Sequence, residues 1–442
     1  MTPSKRKLTL AMAMALVLGN MVGSGIFLLP ASLAPYGWAS LAGWVISGTG
    51  AIFLALTFVY LTKSTPRAGG IYAYARHGFG DYLGFLVAWG YWLSIWAGNA
   101  AIAVATIGYL SHFFPLLNNM PGPSAALAIG CLWVLIGVNL RGIEFAGWLQ
   151  LVTTILKIAP LLVLALVGIA YFSPDHLAQP QGGFSATIHA ATATASLTLW
   201  AFLGLESATI PAEDVADPKR TVPMATLGGT LLAGLIYGVS TLVVMGLVPA
   251  AALASSSAPF AEAAHVIGGP VASHIMAGGA LIATFGALNG WVLLSGHLPW
   301  AAARDGLFPA WLAKRNRNQA PASGIVITGI ASSLIILLNY HKSLVDQFTY
   351  VILLSTLTTL VPYVFCTMAA LLQMRNQPPG KHHKGKMAVF LAAFVFSLWA
   401  IAGAGKEAVF HGFLLLMAGT PFYVFLQSKG DGNPSGHRGA SS

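Results

Sequence analysis

Long apolar runs separated by short polar segments dominate the chain from about residue 9 to about residue 427. About 20 apolar residues suffice for a helix to cross a bilayer core of ~30 Å. The runs therefore predict twelve spans, at about 9–33, 38–62, 82–110, 124–140, 146–171, 191–212, 224–249, 271–299, 323–340, 347–374, 387–404 and 408–427. Two of them are interrupted by polar, glycine-rich stretches at mid-membrane depth, Gly19–Ile26 in span 1 and Trp200–Thr209 in span 6. Irregular backbone at that depth is tolerated only where protein or a water-filled cavity satisfies it. Five spans separate the breaks, so spans 1–5 and 6–10 can form two inverted repeats, each opening on a broken helix. Half-helix N-termini at such breaks offer free N–H groups and a positive dipole to an anionic group, most simply a carboxylate. Close packing of small residues is the competing reading of GNMVGSG. The pairing of two breaks in corresponding positions favours a solute site near the midplane.

Charge distribution adds orientation. With a cytoplasmic N-terminus, 19 of the 22 Lys and Arg residues fall on the inside, only Lys342 and Lys406 fall outside, and Lys157 lies within a span. By the positive-inside rule both termini are expected in the cytoplasm. The net charge of +10 is thus a topology signal, and its scatter through loops argues against nucleic acid as a partner. Composition agrees, with 56% hydrophobic and only 8% charged residues. An average soluble domain is about one-quarter charged. The opening Lys5-Arg6-Lys7 and the apolar run after it imitate a signal peptide, but no convincing cleavage site follows, which predicts a retained first helix. Cys131 and Cys366 lie inside apolar runs and read as packing residues. The organisation expected is one transporter domain over 1–427, with repeats at about 8–171 and 191–374, a terminal helix pair at 387–427 and a disordered tail at 428–442.

The segments GNMVGSGIFLLP, GGIYAYARHGFG, YWLSIWAGNAA, LWAFLGLESA, DPKRTVP, GLFP and TLVPY, in that order, resemble the amino acid, polyamine and organocation transporter superfamily. Within it the likeness is chiefly to bacterial arginine/agmatine and putrescine/ornithine antiporters, over about residues 8–427. The resemblance implies an all-α polytopic membrane protein of about twelve helices, with the LeuT-type 5+5 inverted repeat. It also implies alternating access, residence in the bacterial inner membrane and often a homodimer. A substrate's carboxylate and amino group would meet Ser24, Gly25 and Ile26 in the first break, where Asn20 and Gly23 stand alongside. Trp200, Leu203 and Gly204 would contribute from the second break, and Asn99, Trp291 and Ser355 would hold the side-chain end. Trp200 also matches an aromatic gate, Tyr91 and Tyr363 match aromatic positions near the pathway, and Tyr72 matches a tyrosine at the cytoplasmic gate that is linked to pH sensing. Ala287 and Asn289 depart from the arginine/agmatine pattern, which leaves guanidinium preference open.

Physical chemistry weighs these residues independently. An aromatic face over a cation contributes ~0.5–2 kcal/mol, so Trp200 and Trp291 at mid-span suit a cationic substrate, with core packing as the alternative. Asn99 in an apolar helix must find a partner, from a substrate or from another helix. Lys157 and Glu206 are the ionisable side chains expected well inside spans, where a charge costs at least ~2.5–3.5 kcal/mol and defaults to a functional role. Glu206 matches an acidic residue of the antiporter branch implicated in proton-linked release or gating. Lys157 matches a lysine found in proton-coupled, sodium-independent relatives where sodium-coupled ones bind an ion. Its ammonium against carbonyls of the first break can replace a metal cation, and burial penalises that charge, so it can give up a proton. The charged run Glu213-Asp214 with Asp217–Arg220 resembles a gate loop, although mixed runs are usually a solvated face.

An enzyme is not expected, because no nucleophile or HExxH-type constellation appears, and neither a cofactor nor a metal is implied. Channel rings and P-loops are likewise missing from the sequence. The expected activity is secondary transport, most simply exchange of cationic amino acids and amines. Proton-coupled movement of neutral amino acids is the alternative.

Overall fold

Thr9 starts the first helix, its Oγ1 accepting from Met12 N–H at 3.3 Å. In hydrocarbon each backbone polar group must be satisfied within its own segment, so the apolar runs become helices. The computed structural model of the chain describes residues 7–65, 67–178, 184–256, 258–339, 344–375, 383–403 and 406–430. Its α-helices are α1 (Leu10–Met21), α2 (Ser24–Leu33), α3 (Ala39–Ser64), α4 (Ile71–Phe79), α5 (Asp81–Leu110), α6 (Pro121–Asn139), α7 (Ile143–Gly168) and α8 (Phe184–Leu199). They continue with α9 (Pro218–Leu247), α10 (Ala250–Ala254), α11 (Pro259–Arg304), α12 (Ala322–Asn339), α13 (Leu344–Arg375), α14 (His383–Gly403), α15 (Lys406–Met417) and α16 (Gly419–Gly430). Among the described residues, eleven helices are long and apolar enough to cross a membrane, and Ala322–Leu338 is a shorter apolar one. The fold is an all-α, polytopic membrane architecture. The β-pairing seen among the described residues is one isolated bridge, Leu8 with Val215.

The two expected breaks are present, and the second is deeper than expected. Gly23 leaves the helical region at φ −129°, ψ −144° and separates α1 from α2. In the sixth span α8 ends at Leu199, and the chain continues through 3-10 turns at Trp200–Phe202, Ser207–Thr209 and Ala212–Asp214 instead of a helix reaching residue 212. Gly204 at φ +103° is the cause, a conformation that a Cβ makes costly. The stretch named α11 is two helices that meet at a kink, where Gly268 and Gly269 leave the helical region, and the second of them carries the eighth span. From Pro270 to Arg304 the helix rises about 52 Å, so its end projects beyond the ~30 Å hydrocarbon layer. The short helices α4 and α10 were not expected, since neither has a run long enough to span. Lys5, Arg6, Lys342, Lys381 and the tail from residue 431 lie outside the described residues.

Helix α5 packs between α11 and α13, while α1 lies against α7, α9 and the Ser207–Thr209 turn. This places both breaks at the centre of the bundle. Arg76, Arg304 and Arg315 gather with their acidic partners at one end of it, here termed the basic end.

Candidate functional site

The first break exposes two carbonyls. In an unbroken helix Gly19 C=O would accept from Gly23 N–H, but that N–H donates to Met21 O at 2.9 Å instead. Gly19 O is thereby free to accept from Lys157 Nζ at 2.6 Å, and both side-chain burial and this bond make Lys157 a fully enclosed ammonium site on α7. Asn20 O, one residue on, accepts from Trp291 Nε1 at 3.4 Å. Asn20 Nδ2 donates to Ser207 Oγ at 2.8 Å, and Ser207 Oγ donates to Gly204 O at 2.5 Å, so the two breaks are pinned to each other.

A cavity of about 20 Å³ lies between them. Of the residues singled out from sequence, Asn20, Gly23, Gly25, Trp200, Leu203, Trp291 and Ser355 line it. Met21, Ser94, Gly98, Ile102 and Thr359 also line it and were missed, because small and apolar residues carry no chemical signature. Gly25 lacks a side chain for a packing reason: a Cβ there would come within 2.7 Å of the Trp200 ring. Gly204 sits just outside, against Asn20 and Trp291, and Ile26 is fully buried without reaching the cavity. The side chain of Ser24 lies outside the described residues. Ser355 Oγ donates to Ser94 O at 2.8 Å. Asn99, beside Gly98 on α5, is fully buried, and neither its Oδ1 nor its Nδ2 has a hydrogen-bond partner among the described residues. Such a group demands an explanation.

Behind Trp291 stands a three-residue cluster that sequence reading named only as separate residues. Tyr91 from α5 and Tyr363 from α13 both donate their hydroxyls to the fully buried Glu206 carboxylate. The Tyr91 and Trp291 rings lie 6.4 Å apart. A second buried polar chain was missed: Asn289 Nδ2 donates to Ala146 O and Gln150 Oε1, each at 3.0 Å, and Asn139 Nδ2 donates to Asn289 Oδ1 at 3.0 Å. Asn289, noted in the sequence only as a departure, ties α11 to α6 and α7.

Tyr72 is remote from the cavity, at the basic end. Its hydroxyl donates to Asp305 and to Ala301 O, and Arg76 pairs with Asp305 at 2.8 Å. Burial and the neighbouring Asp305 carboxylate push the Tyr72 hydroxyl above its ordinary range, so it stays a donor. The charged run 213–217 is not simply solvated. Asp214 is 9% exposed and takes two bonds from Arg315, at 3.1 and 2.7 Å, while the exposed Glu213 pairs with Arg304 at 2.6 Å.

Comparison with known proteins adds an independent line. The amino acid permease family model matches residues 8–419. The putrescine transporter PotE of Haemophilus influenzae is 32% identical over 435 residues, covering 98% of this chain and 99% of that protein. PotE of Escherichia coli is 31% identical over 418 residues, 94% of each chain. The cadaverine/lysine antiporter of Escherichia coli is 36% identical over 371 residues, 82% of each chain.

Proposed function

The chain belongs to the amino acid permease family, and we propose that it is a secondary active transporter exchanging cationic amino acids and their amines by alternating access. The observation that carries this reading is the meeting of two broken helices at a small, tryptophan-walled cavity. One water needs ~10–15 Å³ by this kind of measure, so a cavity of about 20 Å³ admits an amino acid or diamine only after its walls move. The activities for which the relatives are named, putrescine transport and cadaverine/lysine antiport, support the substrate class.

In this reading the first turn of α2, at Ser24, Gly25 and Ile26, offers unpaired backbone N–H groups to the carboxylate. Trp200 and Trp291 present ring faces to the cationic end, and Asn99 and Ser355 supply polar contacts once the walls part. Glu206, with Tyr91 and Tyr363, is the gate on one side, and Tyr72 with Asp305 closes the basic end. Protons as the coupled ion, a homodimer, an inner-membrane location and cytoplasmic termini complete the proposal. The Lys/Arg partition supports the orientation.

Lys157 on Gly19 O supports a second reading, proton-coupled movement of a neutral amino acid, because its ammonium can stand in for a metal ion at the first break. Substrate binding to purified protein separates the two. Trp291→Ala should weaken lysine, putrescine and cadaverine by roughly 2- to 30-fold, the equivalent of ~0.5–2 kcal/mol of cation-π attraction. Leucine should be unaffected. Equal loss for lysine and leucine would remove the cation-π argument.

A further inference from the structure

We propose that the corner of the basic end where α3, α4 and α13 stop is a binding site for the phosphate headgroup of an anionic phospholipid. A cavity of about 390 Å³ opens there, lined by Ser64 and Thr65 at the end of α3, His77 and Gly78 from α4, and Gln373 and Arg375 from α13. It shares no lining residue with the cavity between the two breaks. Its wall carries a buried polar side chain. Gln373 is 8% exposed, its Oε1 accepts from Ser64 Oγ at 2.6 Å, and its Nε2 reaches Thr65 Oγ1 only at 3.5 Å. An amide nitrogen carries two hydrogens, so one long bond leaves it able to donate to an oxygen in the cavity it lines.

The positive charge around this corner is uncompensated. Arg76, Arg304 and Arg315, at the same end of the bundle, each pair with a carboxylate. Among the described residues, Lys63, Arg375, Lys384 and Lys386 do not. Lys386 reaches the corner from α14: its Nζ lies 5.5 Å from the Tyr60 ring, and Tyr60 stands about one turn before Ser64 on the same face of α3. The Tyr60 and Phe390 rings, 5.0 Å apart, hold α14 against α3 there. The terminal carbonyls of three helices also draw cations, and Arg375 in the last turn of α13 serves that role in part. Capping alone, however, needs neither a cavity of this size nor lysines arriving from a fourth helix. Unpaired cations beside a polar cavity suit an anion with several acceptor oxygens, which a phosphate supplies.

The flank toward the bilayer points to a lipid as the source of that phosphate. Helix α14 is long and apolar enough to cross a membrane, and it begins at this level. Lys384 in its first turn heads a stripe at helical spacing, Met387, Leu391, Val395 and Leu398, which are 41, 44, 62 and 45% exposed. An acyl chain lying along that stripe brings its headgroup up to Lys384 and Lys386, beside the cavity, as basic pockets between spans do for anionic lipids. A soluble phosphate would use the cavity and leave the stripe bare. Bound there, the headgroup braces α4, which carries Tyr72, against α13, which carries Tyr363. The site stands on the membrane fold and not on substrate exchange, so it fails separately from the transport assignment.

Native mass spectrometry of the purified full-length protein tests this, with phosphatidylglycerol as the probe and phosphatidylcholine of the same chain length as the zwitterionic control. Phosphatidylglycerol should be retained more tightly than phosphatidylcholine. Arg375→Gln and Lys386→Gln, both at exposed positions, should each weaken it by about fivefold, the equivalent of ~1 kcal/mol per basic side chain at a membrane surface. Phosphatidylcholine should be unaffected by either. Arg317→Gln, at an exposed position of the basic end outside the cavity, should change neither lipid. Equal retention of the two lipids, or an equal loss in Arg317→Gln, would overturn the proposal, the latter by reducing it to diffuse surface charge. Inorganic phosphate in excess should leave phosphatidylglycerol bound, because the acyl chain holds its own contact. Displacement by phosphate alone would make this a site for a soluble anion and remove the lipid.

Discussion

Lys157→Ala is expected to abolish the response of transport to an imposed pH gradient and to slow exchange about 5- to 150-fold. The slowing follows from Gly19 O, which the break deprives of its helical donor and which would be left buried without any partner. An unsatisfied buried acceptor costs ~1–3 kcal/mol, and 1.4 kcal/mol is about tenfold. Loss of gradient response follows from charge. An ammonium on the carbonyl of a broken helix is a cation site that can be emptied by deprotonation, whereas a methyl group cannot. Lys157→Met, which keeps most of the volume, should behave alike and so exclude a packing defect. Sodium should not restore either variant. Gradient-driven transport that survives in both would take Lys157 out of the coupling role and leave it a structural lysine.

Glu206→Gln should reduce exchange of cationic substrates by about 10- to 150-fold, the range that corresponds to losing one charge-assisted hydrogen bond of ~1.5–3 kcal/mol. Glutamine keeps the shape and can still accept from one tyrosine hydroxyl, so the bundle should fold. What it removes is the buried anion behind Trp291, and with it the pair of donors that draws Tyr91 and Tyr363 together across α5 and α13. Tyr91→Phe and Tyr363→Phe should each show a smaller loss, because the carboxylate then keeps its other tyrosine. Initial rates in vesicles containing each purified variant make the comparison. Wild-type rates in Glu206→Gln would mean that the carboxylate serves only to fill the core.

The legible part of this molecule is the part written in local pattern. Spans follow from runs of apolar residues, and the first break follows from Gly19-Asn20 and Gly23 interrupting one. Lys157 could be matched to a broken-helix carbonyl because a lone charge at that depth has few other uses. Pairings between distant segments were not legible. Nothing local says that Tyr91 and Tyr363 converge on Glu206, or that Asn289 reaches both Asn139 and Gln150. Asp214 looked like one charge in a solvated run because its partner, Arg315, comes from the loop beyond α11. The break at Trp200–Thr209 was legible, but hydropathy predicts helix again from there to residue 212, because it does not register the positive φ that Gly204 adopts or the 3-10 turn at Ala212–Asp214. Asn99 was expected to hold the substrate's far end, and its buried amide without a partner among the described residues keeps that role as a proposal.

Alternating exchange is the central claim, and counterflow measures it most directly. Purified protein in vesicles, preloaded with unlabelled lysine, cadaverine or putrescine or left empty, is given external labelled lysine or putrescine. Exchange predicts rapid uptake into preloaded vesicles and only background uptake into empty ones. Equal uptake into empty vesicles driven by an inward proton gradient, with no stimulation by preloading, would contradict it and make the protein a proton symporter.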